Sequence, residues 1–147
     1  TTVHLILEIH SLLSRYVKMK LFYLRNPLNT PHWKGGVSKL QNAYSRMGTY
    51  QNAFGPEFQE SWKHIWIGNE KQIDYLEELF HQHWDAQIEN IDAGNSEWVS
   101  NVSEEAVVAS VETIREEYYI KVRDVPEKFK PFTIDKIESL KEWYKKG

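Results

Sequence analysis

Glu77 stands where a carboxylate is costly. Around the run YLEELFHQHW, residues 75–84, the apolar side chains Ile73, Leu76, Phe80, Trp84 and Ile88 recur at helical spacing. At about 100° per residue from Ile73, Glu77 falls at about 40°, inside the edge of that stripe, and Glu78 at about 140°, toward solvent. An ionised carboxylate on a packing face must be paired or must bind something. His81, four residues on, shares its flank. Two uses fit: a structural pair with His81 or a core arginine, or a metal ligand at the edge of a cleft. The HExxH pattern of zinc proteases is absent, and the chain has no Cys. An oxygen ligand suggests Mg²⁺ or Mn²⁺ rather than structural zinc.

A second group of chemistry-bearing residues lies in FYLRNPLNTPHWKGGVSK, residues 22–39. Val17 to Leu24 alternates, with Met19, Leu21 and Tyr23 facing one way and Lys20, Phe22 and Leu24 the other, which predicts a strand. RNPLNTP is a turn, because proline fixes its own φ and restricts the residue before it. His32 to Ser38 predicts the returning strand. Two adjacent strands can hold Tyr23 and Lys34 at one end of a sheet, about one strand spacing apart. Gly35 and Gly36 behind the lysine mark a bulge or a close backbone approach.

The remaining elements must carry these residues. Residues 3–16 and 39–47 are consistent with helices, and GPEFQ with a loop. Trp62 to Ile67 predicts a third strand and Glu70 to Ile88 a long helix. Glu97 to Ser100 predicts a short strand. Ser103 caps a helix with Glu104 and Glu105 in its first turn, burying Val107, Val111, Ile114 and Tyr118. DVPEKFKPF reads as a linker, and Thr133 caps a last helix. The expected fold class is α+β: a small mixed or antiparallel sheet of three to four strands flanked by helices.

The chain has 147 residues, 41% hydrophobic and 27% charged, enough for one domain with its own core. Without Cys, disulfides and thiolate metal sites are excluded. No run approaches the roughly 20 apolar residues that span a bilayer. Val3 to Leu13 is apolar but interrupted by His4, Glu8 and His10, and it is not read as a signal peptide. Met19 precedes the first convincing strand, so residues 1–18 are expected to be an appended or upstream-encoded extension. Net charge is −3, but it is unevenly spread: +6 over residues 1–50, −12 over 51–120 and +3 over 121–147. The basic first third could face phosphates, or it could be an ordinary solvated surface.

In motif order the chain resembles the GIY-YIG nuclease domain, particularly its phage and restriction-enzyme branches. LFYL supplies Tyr23 at the first motif. WKGGVS is similar to the Lys-Ile-Gly variant of the second, with Lys34 eleven residues after Tyr23. Arg46 follows in NAYSRMGTY, with Tyr50 four residues on. YLEELFHQHW is similar to the family's glutamate helix, placing Glu77 at the metal position and His81 after it. EWV, residues 97–99, matches a short terminal strand. The likeness covers residues 19–120, with 1–18 as a helical N-terminal extension and 121–147 as linker and C-terminal helix. The chain departs from the family at Lys34, usually tyrosine, at Gly35, usually isoleucine, and in the later position of Arg46.

The resemblance implies a DNA endonuclease that hydrolyses phosphodiester bonds with Mg²⁺ or Mn²⁺, acting on double-stranded DNA in the cytoplasm of a bacterial or phage-infected cell. It implies Tyr23 as general base or proton relay, Arg46 as phosphate clamp, Glu77 as metal ligand, and Lys34 and Tyr50 as further catalytic residues. Bringing a phenol from its ordinary pKa of about 10 to neutrality takes about 4 kcal/mol of differential stabilisation, which Lys34 and a metal would supply together. Lys18, Lys20, Arg25, Lys39 and His81 are the expected DNA contacts, and no membrane is implied. Two alternatives stand beside this: a GIY-YIG-like domain that binds DNA without cutting, and a structural or protein-interaction α+β domain.

Overall fold

A computed structural model describes residues 2–3, 19–26, 30–40, 62–90, 97–129, 139–140, 142–144 and 146. The architecture is α+β. Among the described residues six strands form one antiparallel sheet: β1 Met19–Arg25, β2 His32–Lys39, β3 Trp62–Asn69, β4 Ile88–Asn90, β5 Glu97–Ser100 and β6 Arg123–Asp124, in the order β4-β5-β2-β1-β3-β6. Two helices, α1 Glu70–His83 and α2 Glu104–Glu117, pack on one face. Leu140, Trp143 and Tyr144, all helical, pack on the other. Among the described residues no helix is long and apolar enough to cross a membrane.

The central strand β1 is buried on both faces, so its apolar run is nearly continuous. Met19, Leu21 and Tyr23 join Leu40, Ile65, Ile67, Val125, Phe129 and Leu140 in one core. Phe22 and Leu24 join Trp33, Trp66, Ile73, Leu76, Phe80, Val107, Val111 and Ile114 in the other. Removing one such side chain costs about 2–5 kcal/mol. The β1–β2 turn is closed by buried Asn26, whose Nδ2 donates to the Thr30 carbonyl and, at 2.9 Å, to that of His32. Asn69 ends β3 and caps α1, its Oδ1 accepting from Gln72 N at 2.9 Å. Ser103 caps α2 as expected, its Oγ accepting from Ala106 N.

The sheet is larger than the three to four strands expected. The difference comes from two segments. Apolar spacing predicts one helix from Glu70 to Ile88, but α1 stops at His83. Trp84 Nε1 donates to Ser110 Oγ of α2 at 2.9 Å, anchoring the helix end. A 3-10 turn, Asp85–Gln87, follows, and Ile88 pairs with Val99 as part of β4. Ile88 thus fits the helical stripe by spacing alone. The expected linker after residue 121 instead contributes β6, which pairs Arg123 with Ile67 and Asp124 with Trp66, and buries Val122, Val125 and Phe129. Tyr118, expected in the core, is 44% exposed: it is the C-cap of α2, and the chain reverses at Tyr119 with φ 54°. The helices expected over 3–16 and 39–47 and the cap at Thr133 lie largely or wholly outside the described residues.

Candidate active site

The site begins with the pleat of β2. Lys34 and Gly36 share a face with Tyr23, while Gly35 and Val37 share the opposite face with Phe22 and α1. A Cβ at Gly35 would lie 2.8 Å from Phe80 Cδ1 and 2.9 Å from Phe22 Cζ. Only a glycine lets Phe80, and with it α1, seat this close to the strand. A Cβ at Gly36 would lie 2.5 Å from the Tyr23 hydroxyl. The phenol therefore crosses β2 over a residue with no side chain.

Beyond Trp33, no strand among the described residues pairs with the outer side of β2, because β5 joins it only through His32 and Trp33. A cleft of about 380 Å³ is lined here by Tyr23, Lys34 and Val37, by both glycines, and by Glu77 and His81 of α1. Glu97, the first residue of β5, completes the lining. Tyr23 is almost fully buried and stacks on Trp62 with ring centroids 4.2 Å apart, and its hydroxyl lies over Gly36 of the cleft lining. Glu77 is half-buried on the flank of α1 beside Leu76 and Phe80. His81 Nε2 donates to the Gly35 carbonyl at 3.3 Å, tying the helix to the strand.

The other expected residues are placed as follows. Lys34 Nζ lies 5.8 Å from the Trp98 ring centroid. Arg25, its cross-strand partner, is only 5% exposed, and its guanidinium lies 5.0 Å from the same centroid. Arg25 is thus packed under Trp98 rather than displayed as a surface contact. Lys20 Nζ is held by Asp74 at 2.7 Å and Glu70 at 3.3 Å, so two carboxylates already neutralise it. Those bonds raise its pKa, the hydrogen bond to Asp74 contributing most and burial opposing. Lys39 is exposed and pairs across the strands with Lys20, about 10 Å along β2 from Gly36. Lys18, Arg46 and Tyr50 lie outside the described residues. Glu97 was missed by sequence reasoning: it opens a short strand and has no spacing relation to the other residues.

Among the described residues no group of three or more His, Asp or Glu side chains could hold a metal ion. The donor chemistry of the cleft still fits a hard cation. Glu77 and Glu97 both line it, and Mg²⁺ is commonly bound through one or two carboxylates while keeping several waters. Comparison with family models, with curated protein sequences and with solved structures returned no match.

Proposed function

We propose that the chain is a metal-dependent DNA endonuclease of the GIY-YIG type. The observation that carries this reading is the convergence of Tyr23, Lys34, Glu77 and His81, from two strands and a helix, on one cleft. The resemblance in motif order names the same residues on separate grounds. A bound Mg²⁺ or Mn²⁺ would supply charge neutralisation at the scissile phosphate, held by Glu77 with Glu97 beside it.

The chain's own residues would divide the remaining work. The Tyr23 phenol, fixed by its stack on Trp62, orients the attacking water and relays its proton. Lys34, which lines the same cleft, would offer a cation to the phosphate oxygens. Arg46 clamps the non-bridging oxygens with its planar fork, and Tyr50 donates a hydrogen bond to the phosphate or the water. Gly35 departs from the family's isoleucine, and the departure has a packing reason in this chain: Phe80 occupies the space. It therefore gives no ground for preferring a domain that binds without cutting.

The test is plasmid cleavage with Mg²⁺ by the wild type, Glu77→Ala and Tyr23→Phe. The wild type is expected to nick, and each variant to lose on the order of 100-fold or more. Equal cleavage by all three removes the site assignment, and no cleavage by the wild type removes the nuclease.

A further inference from the structure

We propose that Tyr75, Tyr118 and Tyr119 form a docking surface for an arginine-rich peptide segment of a partner protein. The inference is independent of the nuclease reading. The surface lies on α1 and at the end of α2, and the cleft lining holds none of the three tyrosines.

Tyr119 is the starting point. The last turn of α2 closes with two bonds: Ile120 N donates to the Arg115 carbonyl at 2.9 Å, and Tyr119 N to the Glu116 carbonyl at 3.4 Å. That closure calls for a left-handed residue at position 119, where φ is 54°. Glycine takes this conformation freely, whereas a bulky side chain is strained in it. The strain returns no packing, because Tyr119 is 87% exposed. A strained residue that adds nothing to the core points to recognition. Two more tyrosines lie close by. Tyr118 and Tyr75 are each less than half exposed, and their rings stand at 88° with centroids 5.7 Å apart, forming an open corner. Apart from Val3, no other large hydrophobic side chain among the described residues is as exposed as these.

The occupant follows from charge. Together α1 and α2 carry nine carboxylates against two cations, a net −7. Glu116 and Glu117 are exposed immediately before Tyr118, and Glu78 is exposed three residues after Tyr75, on the same flank. Lys71, four residues before Tyr75, and Lys121, two residues after Tyr119, are outnumbered by these carboxylates. Arg115 is already bonded to Glu112 and Asp124. Such a face repels phosphates and attracts cations. A guanidinium suits both of its features: it stacks flat on a phenol ring while its fork binds a carboxylate.

The experiment is fluorescence anisotropy of a short labelled peptide alternating arginine and glycine, titrated with the wild type, a Tyr75→Ala/Tyr119→Gly double variant, and Glu105→Gln. The wild type should bind this peptide and not its citrulline counterpart. The double variant changes no charge but should weaken binding roughly 2–5-fold per ring, so roughly 4–25-fold together. Glu105→Gln removes a charge about 20 Å along α2 from Tyr118 and should weaken it about twofold at most. No binding by the wild type, or equal binding by the double variant, overturns the proposal. Tyrosine-dependent self-association in sedimentation, or tyrosine-dependent retention of duplex DNA, overturns it in favour of a second copy or of nucleic acid. Tyr119→Gly alone gives a readout on the fold: its urea midpoint should rise, because glycine relieves the left-handed strain. A midpoint that falls shows that the ring serves the fold, and overturns the proposal.

Discussion

The phenol of Tyr23 and the carboxylate of Glu77 arise on opposite faces of the sheet and line the same cleft. Tyr23 shares its face with Met19 and Leu21. Glu77 rides on α1, which packs against Phe22 and Leu24. What joins them is two consecutive glycines in β2. On one face the missing side chain admits Phe80, and on the other it admits the phenol. A pleated strand with side chains at both positions would keep the two groups apart.

Gly36→Ala tests this arrangement directly. The new methyl would meet the Tyr23 hydroxyl at 2.5 Å and ring carbon Cζ at 2.6 Å. The ring is backed by Trp62, so it has little room to retreat. The expected cost is about 1–3 kcal/mol of stability, as for other overpacked cores. Cleavage should fall at least tenfold more than the loss of folded protein explains. Urea unfolding and plasmid nicking measure the two. Wild-type behaviour in both would mean that the phenol does not lie over Gly36.

The placement of Tyr23 and Glu77 on their elements was legible because its signals are local. The alternation of β1 separated Tyr23 from Phe22, and an angular count put Glu77 beside the apolar stripe of α1. The partners of the cations were not legible. Lys20 looks like a phosphate contact until α1 brings Asp74 and Glu70 to it from fifty or more residues away. Arg25 looks exposed until Trp98 covers it. The end of α1 was misplaced because Ile88 continues the helical spacing, while the bond that stops the helix runs from Trp84 to Ser110. Neither contact leaves a periodic trace. β6 was missed because a two-residue edge strand of Arg and Asp has no apolar pattern.

Lys20 gives the fold a pH dependence with a definite sign. Its pKa is raised in the folded chain, first by the hydrogen bond to Asp74. A lysine more basic when folded stabilises fully below its unfolded pKa of about 10.4, and the contribution fades as pH rises through the folded value. Its partners are 45% and 47% exposed, so the pair is worth about 0.5–1 kcal/mol. Lys20→Met keeps most of the aliphatic stem and removes the charge. The stability difference between wild type and variant should stay level from neutral pH to about pH 10, then shrink. Urea midpoints across that range measure it, and a difference that widens in alkali would contradict the pairing.

The same pairing sets Lys20, already held by two carboxylates, apart from Lys34 in the cleft. If duplex DNA is the partner, retention should weaken steeply as salt rises, because each neutralised phosphate releases a counterion. Lys34 lines the cleft, so Lys34→Met should reduce the slope of log affinity against log salt by about 1. Lys20→Met should leave that slope unchanged, since Asp74 and Glu70 already hold its ammonium group. Direct binding to a short duplex at salt concentrations from about 50 to 200 mM measures all three proteins. A larger change for Lys20 than for Lys34 would move the DNA track to the other end of β1 and away from the cleft. Salt-independent affinity for the wild type would remove nucleic acid as the partner.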